Sequence, residues 1–179
     1  MYRLIKQILA DIHFFLLVEY VPYMRLGRRW LHLFLLSLNC KKLGKNLNFH
    51  YGVVVQGTKL TAFGSNIDIG RHSLLSFGGV ECEIGNDVMM GSDVKLITIE
   101  HSYRNKSLPM RLQESVYSPI IIEDDVWLGD GVKVISGSRP LRISRGVIVG
   151  AGSVVTKNLD IENGIYAGIP AKFLKSRFD

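Results

Sequence analysis

Cysteine is scarce in this sequence. Of its 179 residues only Cys40 and Cys82 are cysteines. Two are too few for the disulfide framework of a small secreted domain or for a cysteine-rich metal centre. We therefore expect a cytoplasmic chain in a reducing compartment, with no bound metal.

Long apolar runs and nucleic-acid motifs are absent as well. Neither Phe14–Val18 nor Trp30–Leu38 approaches the ~20 apolar residues of a membrane span. No small-residue cleavage site follows a charged start, so we expect no signal peptide. The formal charge of +6 favours acidic partners such as phosphates or anionic lipid. We expect no nucleic acid, because no basic helix or basic-aromatic motif accompanies that charge.

What the sequence does contain is a six-residue repeat. A helical period of 3.6 or a strand period of 2 cannot produce it, whereas short strands joined by glycine-rich corners can. We predict an all-β parallel solenoid of about five coils over residues 43–160, each with three six-residue sides, and a C-terminal tail over 161–179. The apolar residues that begin the sides are Leu43, Phe49, Val55, Phe63, Ile69, Leu75, Ile84, Met90, Leu96, Ile122, Leu128, Val134, Ile143, Val149 and Val155.

The repeat is interrupted at one corner. Every coil exceeds eighteen residues, and the extra residues always follow the third side. Three insertions are small and the fourth is a loop of 20 residues, 102–121. A long loop inside a regular fold is more often functional than idle, and His101 lies at its root. Glu100 occupies an inward place, where an unpaired charge is costly. We favour a slip of the register there over a specific partner for its carboxylate.

Residues 1–42 differ from the repeat. We predict two short amphipathic helices, one before Pro22 and one from about Met24 to Leu38. We favour a role as a cap on the open end of the solenoid. The alternative is peripheral contact with an anionic membrane, which rests on five basic residues: Arg3, Lys6, Arg25, Arg28 and Arg29.

Two outward faces predict a symmetric oligomer. Trp127 falls at an outward position of the first side, and a lone prism would leave it exposed. The second side is partly apolar, and its outward residues are Val54, Leu74, Lys95, Lys133 and Val154. Association of copies would bury both faces.

The repeat resembles that of the hexapeptide-repeat acyltransferases over about residues 43–177. The resemblance is most specific in Pro119–Gly129, Val149–Lys157 and Ala167–Lys172. Within that family the sequence is most similar to maltose/galactoside and polysaccharide-biosynthesis O-acetyltransferases. The resemblance implies a left-handed β-helix, a homotrimer and acetyl transfer from acetyl-CoA to a hydroxyl of a carbohydrate. It also implies a role in cell-surface polysaccharide biosynthesis, for capsule, O-antigen or exopolysaccharide.

The resemblance further implies the site residues. His101 corresponds to the catalytic histidine, and a neutral imidazole can take the proton of an incoming hydroxyl. Lysine replaces the arginine that relatives often carry near the phosphates, which keeps the charge and loses the bidentate fork. The acetyl-CoA contacts carry over to Trp127, Asp130, Ala151, Thr156, Lys157, Lys172 and Lys175.

The acceptor is less defined. Sugar acetyltransferases commonly have an asparagine in the coil before the catalytic histidine, where this chain offers only Ser73 and Ser76. A small sugar such as maltose is therefore not expected. The basic N-terminal segment is typical of the polysaccharide relatives, so we also consider a lipid-linked acceptor at the inner face of the plasma membrane.

Three other functions share this fold. A γ-type carbonic anhydrase needs a closely spaced histidine pair, and no histidine follows His101. A non-catalytic scaffold has no use for His101 or for the stretch 150–157. An N-acetyltransferase acting on a nucleotide-linked amino sugar would use the same base and cofactor. Such enzymes usually carry an N-terminal nucleotide-binding βαβ unit, which this sequence lacks. The last two functions remain alternatives.

Overall fold

The computed structural model describes residues 33–34 and 36–179. The chain divides into two compact units, residues 1–38 and 39–179. In the first, residues 33–34 and 36–38 are helical, and the Ser37 hydroxyl donates to the Phe34 carbonyl at 2.6 Å. The remainder of the two predicted N-terminal helices lies outside the described residues. No helix within the described part of the chain is long and apolar enough to cross a bilayer.

Residues 39–179 wind through successive three-strand coils. The first three coils contain β1 (Lys42–Leu43), β2 (Leu47–Phe49), β3 (Val54–Gln56), β4 (Ala62–Phe63), β5 (Ile67–Ile69), β6 (Leu74–Ser76), β7 (Glu83–Ile84), β8 (Met89–Met90) and β9 (Lys95–Ile97). A hairpin of β10 (Ile99–His101) and β11 (Ser115–Tyr117) follows. The later coils contain β12 (Ile120–Ile122), β13 (Trp127–Leu128), β14 (Lys133–Ile135), β15 (Leu141–Ile143), β16 (Ile148–Val149), β17 (Val154–Val155), β18 (Gly164–Ala167) and β19 (Lys172–Ser176). Single 3-10 turns occur at Thr58–Leu60 and Met110–Leu112.

The sides of the coils stack into three sheets. Sheet A has the order β1-β4-β7-β12-β15, sheet B has β19-β18-β16-β13-β8-β5-β2, and sheet C has β17-β14-β9-β6-β3. All neighbours in these sheets are parallel except β18 and β19. The predicted parallel solenoid is therefore confirmed.

The core is formed largely by the apolar residues that begin each six-residue side, which the sequence predicted to point inward. In coils two to five the twelve side-starting residues are at most 3% exposed. In the first coil Leu43, Phe49 and Val55 are only half-buried, because that coil has no neighbour of the repeat on one side. Phe63 packs edge-on against Phe49 and Phe77, with ring centroids 6.4 and 6.0 Å away. Burial of these rows in successive coils makes one continuous core.

The solenoid has a sixth, shorter coil, so the prediction of about five is slightly too low. Leu159 bridges to Ile143 of sheet A, and β18 pairs with β16 on sheet B. Only sixteen residues separate Ile143 from Leu159, whereas twenty-one separate Ile122 from Ile143. The six-residue register therefore does not extend into this coil. β19 then turns back antiparallel and covers the exposed edge of β18.

Close approach of the coils requires glycine at some corners. A Cβ at Gly64 would lie 2.5 Å from the backbone carbonyl of Gly85 in the next coil. The same corner contains Asn66, and the stacked corner of the next coil contains Asp87, both in left-handed conformations with φ of 59° and 57°. Their side chains form a ladder, because Asn66 Nδ2 donates to Asp87 Oδ1 at 2.8 Å. Short polar side chains tolerate this backbone and satisfy each other.

Candidate active site

His101 ends the first arm of the hairpin, at the corner between sheets C and A. It lies directly opposite Ser115 in the antiparallel pair, and Ser115 Oγ is 3.3 Å from His101 Nδ1. The imidazole is exposed. Among the described residues, no group hydrogen-bonds Nε2. When Nδ1–H donates to Ser115, Nε2 carries the lone pair that a base needs.

The root of the hairpin is anchored in the solenoid. Ser118 N donates to the Thr98 carbonyl at 3.0 Å, and the buried Ser136 hydroxyl donates to the Ser118 carbonyl at 2.6 Å. The Tyr117 ring lies so close to Gly78 that a Cβ there would collide with it. These contacts fix the two arms, and therefore the position of His101, relative to the core.

Glu100 lies in β10, the first arm of the hairpin. It pairs with Val116 in the ladder and is half-buried. Its Oε2 lies 3.0 Å from where a Cβ would stand on Gly137. Thr98, two residues earlier, is buried, so Glu100 lies in the hairpin and not among the core side chains.

A second group of predicted residues lies at the corner between sheets B and C. Asp130 and Ala151 occupy the same corner in successive coils, and Gly152 N donates to the Asp130 carbonyl at 2.8 Å. The Asp130 carboxylate accepts from Ser92 N at 2.7 Å. Trp127 precedes this corner on the outer face of sheet B and is 45% exposed.

The two predicted lysines lie on the last strand of sheet B. Lys175 is paired with Ile165 and Lys172 with Ala167. Ile165 is itself in register with Ile148, and Ile148 with Trp127. Lys175 is therefore three strands from Trp127 on the same sheet, about 14 Å away at the usual strand spacing. Both lysines are exposed.

Thr156 and Lys157 lie at a different corner from Asp130 and Ala151. They follow β17, the last strand of sheet C, and so share the C–A corner with the hairpin of His101. The structure thus divides the predicted residues between the two edges of sheet C. At about 3.3 Å per residue these edges are on the order of 15–20 Å apart.

The corner between sheets B and C, where Asp130 and Ala151 lie, is suited to bind an extended ligand with an anionic end. Gly129, Gly131, Gly150 and Gly152 flank Asp130 and Ala151, and a Cβ at Gly152 would meet nothing within 4 Å. Open backbone, the Trp127 ring and two lysines suit the pantetheine arm and phosphates of acetyl-CoA. The described residues contain no group of three His, Cys, Asp or Glu side chains placed to hold a metal ion.

Two features were not found from the sequence. Ser115 beside His101 is one, because the partner of a hairpin residue depends on how its two arms pair. A surface hollow of about 410 Å³ on sheet A is the other, and Glu83, Ile121, Glu123, Asp124, Arg142 and Arg145 contribute to its lining. The Arg142 guanidinium beside Glu123 lowers the pKa of that carboxyl. The hollow contains none of the predicted site residues.

Sequence comparison finds relatives that are named as acetyltransferases. No protein-family model matches the sequence. The chain is 34% identical over 143 residues to an Escherichia coli protein provisionally named the lipopolysaccharide biosynthesis O-acetyl transferase WbbJ, covering 72% of this chain and 68% of that one. It is also 34% identical over 115 residues to a Schizosaccharomyces pombe protein provisionally named an acetyltransferase, covering 62% of this chain. The chain spans only 53% of the length of that relative.

Solved structures share the fold. A maltose O-acetyltransferase from Clostridium difficile superposes with a TM-score of 0.71 and 24% identity, over 90% of this chain and 80% of that one. A hexapeptide-repeat acetyltransferase from Vibrio cholerae, in complex with acetyl-CoA, superposes with a TM-score of 0.65 and 23% identity, over 83% and 77%. The chain therefore belongs to the hexapeptide-repeat acetyltransferase family.

Proposed function

We propose that this protein transfers an acetyl group from acetyl-CoA to a hydroxyl of a carbohydrate in cell-surface polysaccharide biosynthesis. The observation that carries the proposal is the exposed His101 imidazole, whose Nδ1 lies 3.3 Å from Ser115 Oγ. Its Nε2 is then free to accept a proton at the corner where the repeat is interrupted. Similarity to WbbJ and to the Clostridium difficile enzyme, both named as O-acetyltransferases, supports a hydroxyl acceptor.

His101 acts as the general base. Acetyl-CoA supplies an already activated thioester, so the chain must chiefly remove the proton of the attacking hydroxyl and orient the two substrates. The Nε2 lone pair accepts that proton as the hydroxyl oxygen bonds to the acetyl carbon. The imidazolium returns the proton to the sulfur of coenzyme A as the thioester C–S bond breaks, and the free thiol leaves. Ser115 holds the ring through Nδ1, which keeps the same nitrogen available in each turnover.

The complete site is formed between copies of the chain. Residues at the B–C corner and residues at the C–A corner are separated by the width of sheet C, so one copy does not bring them together. A closed ring of three copies can set the B–C corner of each against the C–A corner of the next. Trp127, Asp130, Ala151, Lys172 and Lys175 of one copy then face His101, Thr156 and Lys157 of its neighbour.

The acceptor is a carbohydrate, and the lipid-linked form is the one we favour. The basic residues of the N-terminal segment lie outside the described residues, and their contact with anionic lipid stays a prediction. A second acceptor class is an amino sugar, since a structural neighbour of the same fold is an N-acyltransferase bound to a deoxythymidine diphosphate ligand and coenzyme A.

Turnover of acetyl-CoA tests the proposal. Purified protein is mixed with acetyl-CoA and with soluble sugars, polysaccharide fragments, lipid-linked oligosaccharides and amino sugars, and free thiol release is followed. The expected result is acceptor-dependent release with a carbohydrate hydroxyl acceptor. Release only with amines would indicate N-acetylation. Absence of acetyl-CoA binding by calorimetry would favour a scaffold and contradict the proposal.

A further inference from the structure

The tip of the His101 hairpin is held together by hydrogen bonds among its own polar groups. Gln113 Nε2 donates to the carbonyls of Asn105 and Leu108, at 3.0 and 2.9 Å, and Gln113 Oε1 accepts from Asn105 N at 3.0 Å. Asn105 Oδ1 in turn accepts from Ser107 N at 2.9 Å. The loop is therefore cross-linked by its own amides and keeps a defined shape.

Four large apolar side chains of the same tip are exposed. Its exposed large side chains are Tyr103 at 60%, Leu108 at 45%, Met110 at 65% and Leu112 at 54%. Leaving so much apolar surface in water is unfavourable. An exposed apolar cluster on a shaped loop marks a contact surface.

The charges of the tip indicate which partner it contacts. Arg104, Lys106 and Arg111 alternate with the apolar residues, and Glu114 is the single acidic residue between positions 102 and 114. Apolar side chains interleaved with cations are the composition that binds the surface of an anionic bilayer. The net charge of the whole chain, +6, has the same sign.

We propose that the tip of the hairpin, residues 102–114, docks into the surface of an anionic membrane. The apolar side chains enter the boundary between head groups and acyl chains, and the three cations lie among the anionic head groups. Leu108 is seven positions from His101, and Met110 is five positions from Ser115, which lies opposite His101. The imidazole therefore stands no more than about 25 Å from the lipid surface.

This placement deepens the proposed function, on which it rests, by indicating a membrane-anchored saccharide as acceptor. A sugar chain attached to a lipid would project toward the C–A corner. The docked hairpin would hold that corner at a fixed height above the bilayer. Free sugars in solution would gain nothing from the docking.

Co-sedimentation with vesicles tests the surface. The full chain is mixed with vesicles of phosphatidylglycerol and phosphatidylcholine in equal parts, and with vesicles of phosphatidylcholine alone. The wild type should bind the anionic vesicles, and Met110→Glu with Leu112→Glu should weaken that binding by about tenfold or more. The matched control is Ile161→Glu, which charges another exposed apolar residue, 48% exposed, and should bind like the wild type.

The outcomes separate the possible partners. If the double variant sediments like the wild type, or the wild type does not bind, the proposal is wrong. If the double variant loses its oligomeric state, the tip contacts a second copy instead and the proposal is likewise overturned. Leu112→Trp should show quenching by brominated lipid, which gives a readout independent of oligomer and activity.

Activity distinguishes this inference from the proposed function. The double variant should keep its turnover with a soluble acceptor, because Met110 and Leu112 lie outside the catalytic machinery, and lose turnover only with a vesicle-bound acceptor. Vesicle binding through the tip without any acetyl transfer would contradict the proposed function but would still support docking of the tip on the membrane. Transfer that is equally fast for both proteins on vesicle-bound acceptor would contradict the docking.

Discussion

Ser115 lies across the hairpin from His101, with its hydroxyl oxygen 3.3 Å from the imidazole Nδ1. The two residues are fourteen positions apart and meet because β10 and β11 are antiparallel. The contact is long for a hydrogen bond, and hydrogen bonds between catalytic groups are often loose in the absence of substrate.

Ser115→Ala should lower kcat and leave KM for acetyl-CoA unchanged. A neutral hydrogen bond contributes about 0.5–1.5 kcal/mol, which corresponds to a loss of roughly 2–10-fold. Ser115→Thr keeps the hydroxyl and should restore most of the rate. Equal rates for the alanine variant and the wild type across the pH range would show that Ser115 does not position the imidazole.

Mixed oligomers should report a site shared between copies. One inactive variant carries His101→Ala, and the other carries Trp127→Ala with Lys175→Ala. After the two are unfolded and refolded together, about a quarter of the sites in a random trimer should combine an intact base with an intact cofactor groove. Recovery of activity in the mixture, absent from either variant alone, is the expected result. No recovery in verified mixed trimers would place the complete site within one copy.

Gly64→Ala should destabilise the solenoid far more than Gly79→Ala. A Cβ at Gly64 would lie 2.5 Å from the carbonyl of Gly85, so neighbouring coils would have to separate. Gly79 has φ of 77° but nothing within 4 Å of a Cβ, so only the backbone strain of about 1–2 kcal/mol remains. Urea unfolding of the two variants measures the difference, which we expect to reach several kcal/mol. Equal losses would show that coil spacing is not limited by this corner.

Much of the fold could be predicted from the positions of apolar residues. Phe63, Ile84, Ile122 and Ile143 recur because each coil must bury a side chain at the same place, and the structure leaves all four at most 1% exposed. The sixth coil was not predicted, since the spacing from Ile143 to Leu159 is shorter. Local periodicity carries no information about a strand such as β18 whose place depends on tertiary pairing.

Some residues of the candidate site could likewise be predicted from the sequence, and others could not. His101 could be singled out as a candidate because the long insertion begins beside it, and Trp127 because an outward tryptophan is unusual on a prism. Ser115 could not be predicted, because the six-residue pattern gives no information about strand pairing inside an insertion.

Acidification should weaken the pairing of Glu123 with Arg142. Arg142 Nε donates to Glu123 Oε1 at 2.6 Å, and this partner lowers the pKa of the carboxyl. A lowered pKa in the folded state stabilises the fold above the ordinary glutamate value of 4.5, and this contribution is lost as the pH falls through the lowered value. Arg142 is exposed, so solvent screening keeps the effect at about 1 kcal/mol or less.

Urea unfolding of Glu123→Gln and wild type checks this. Near neutral pH the variant should be slightly less stable, and the gap should close as the solution is acidified. Glu83→Gln, on the same outer face of sheet A but with no ion pair among the described residues, serves as the control and should show no such convergence. A gap for Glu123→Gln that is independent of pH would mean that the charge of Glu123 contributes nothing.

His101→Ala should remove most of the activity and leave the structure intact. The imidazole is exposed and outside the core, so the fold, the oligomer and the affinity for acetyl-CoA should all be kept. Loss of a positioned general base costs about 10²–10⁴-fold in rate, equivalent to about 3–5.5 kcal/mol of barrier. The matched control is His72→Asn, another exposed histidine, at a backbone φ of 56° that asparagine tolerates.

Steady-state rates with a saturating acceptor, together with calorimetric titration of acetyl-CoA, separate the effect on kcat from the effect on binding. The His72 variant should turn over like the wild type. If the His101 variant acetylates the acceptor within a few-fold of the wild-type rate, the proton leaves through another group. The hairpin root would then have a structural role, and the mechanism built on it would be wrong.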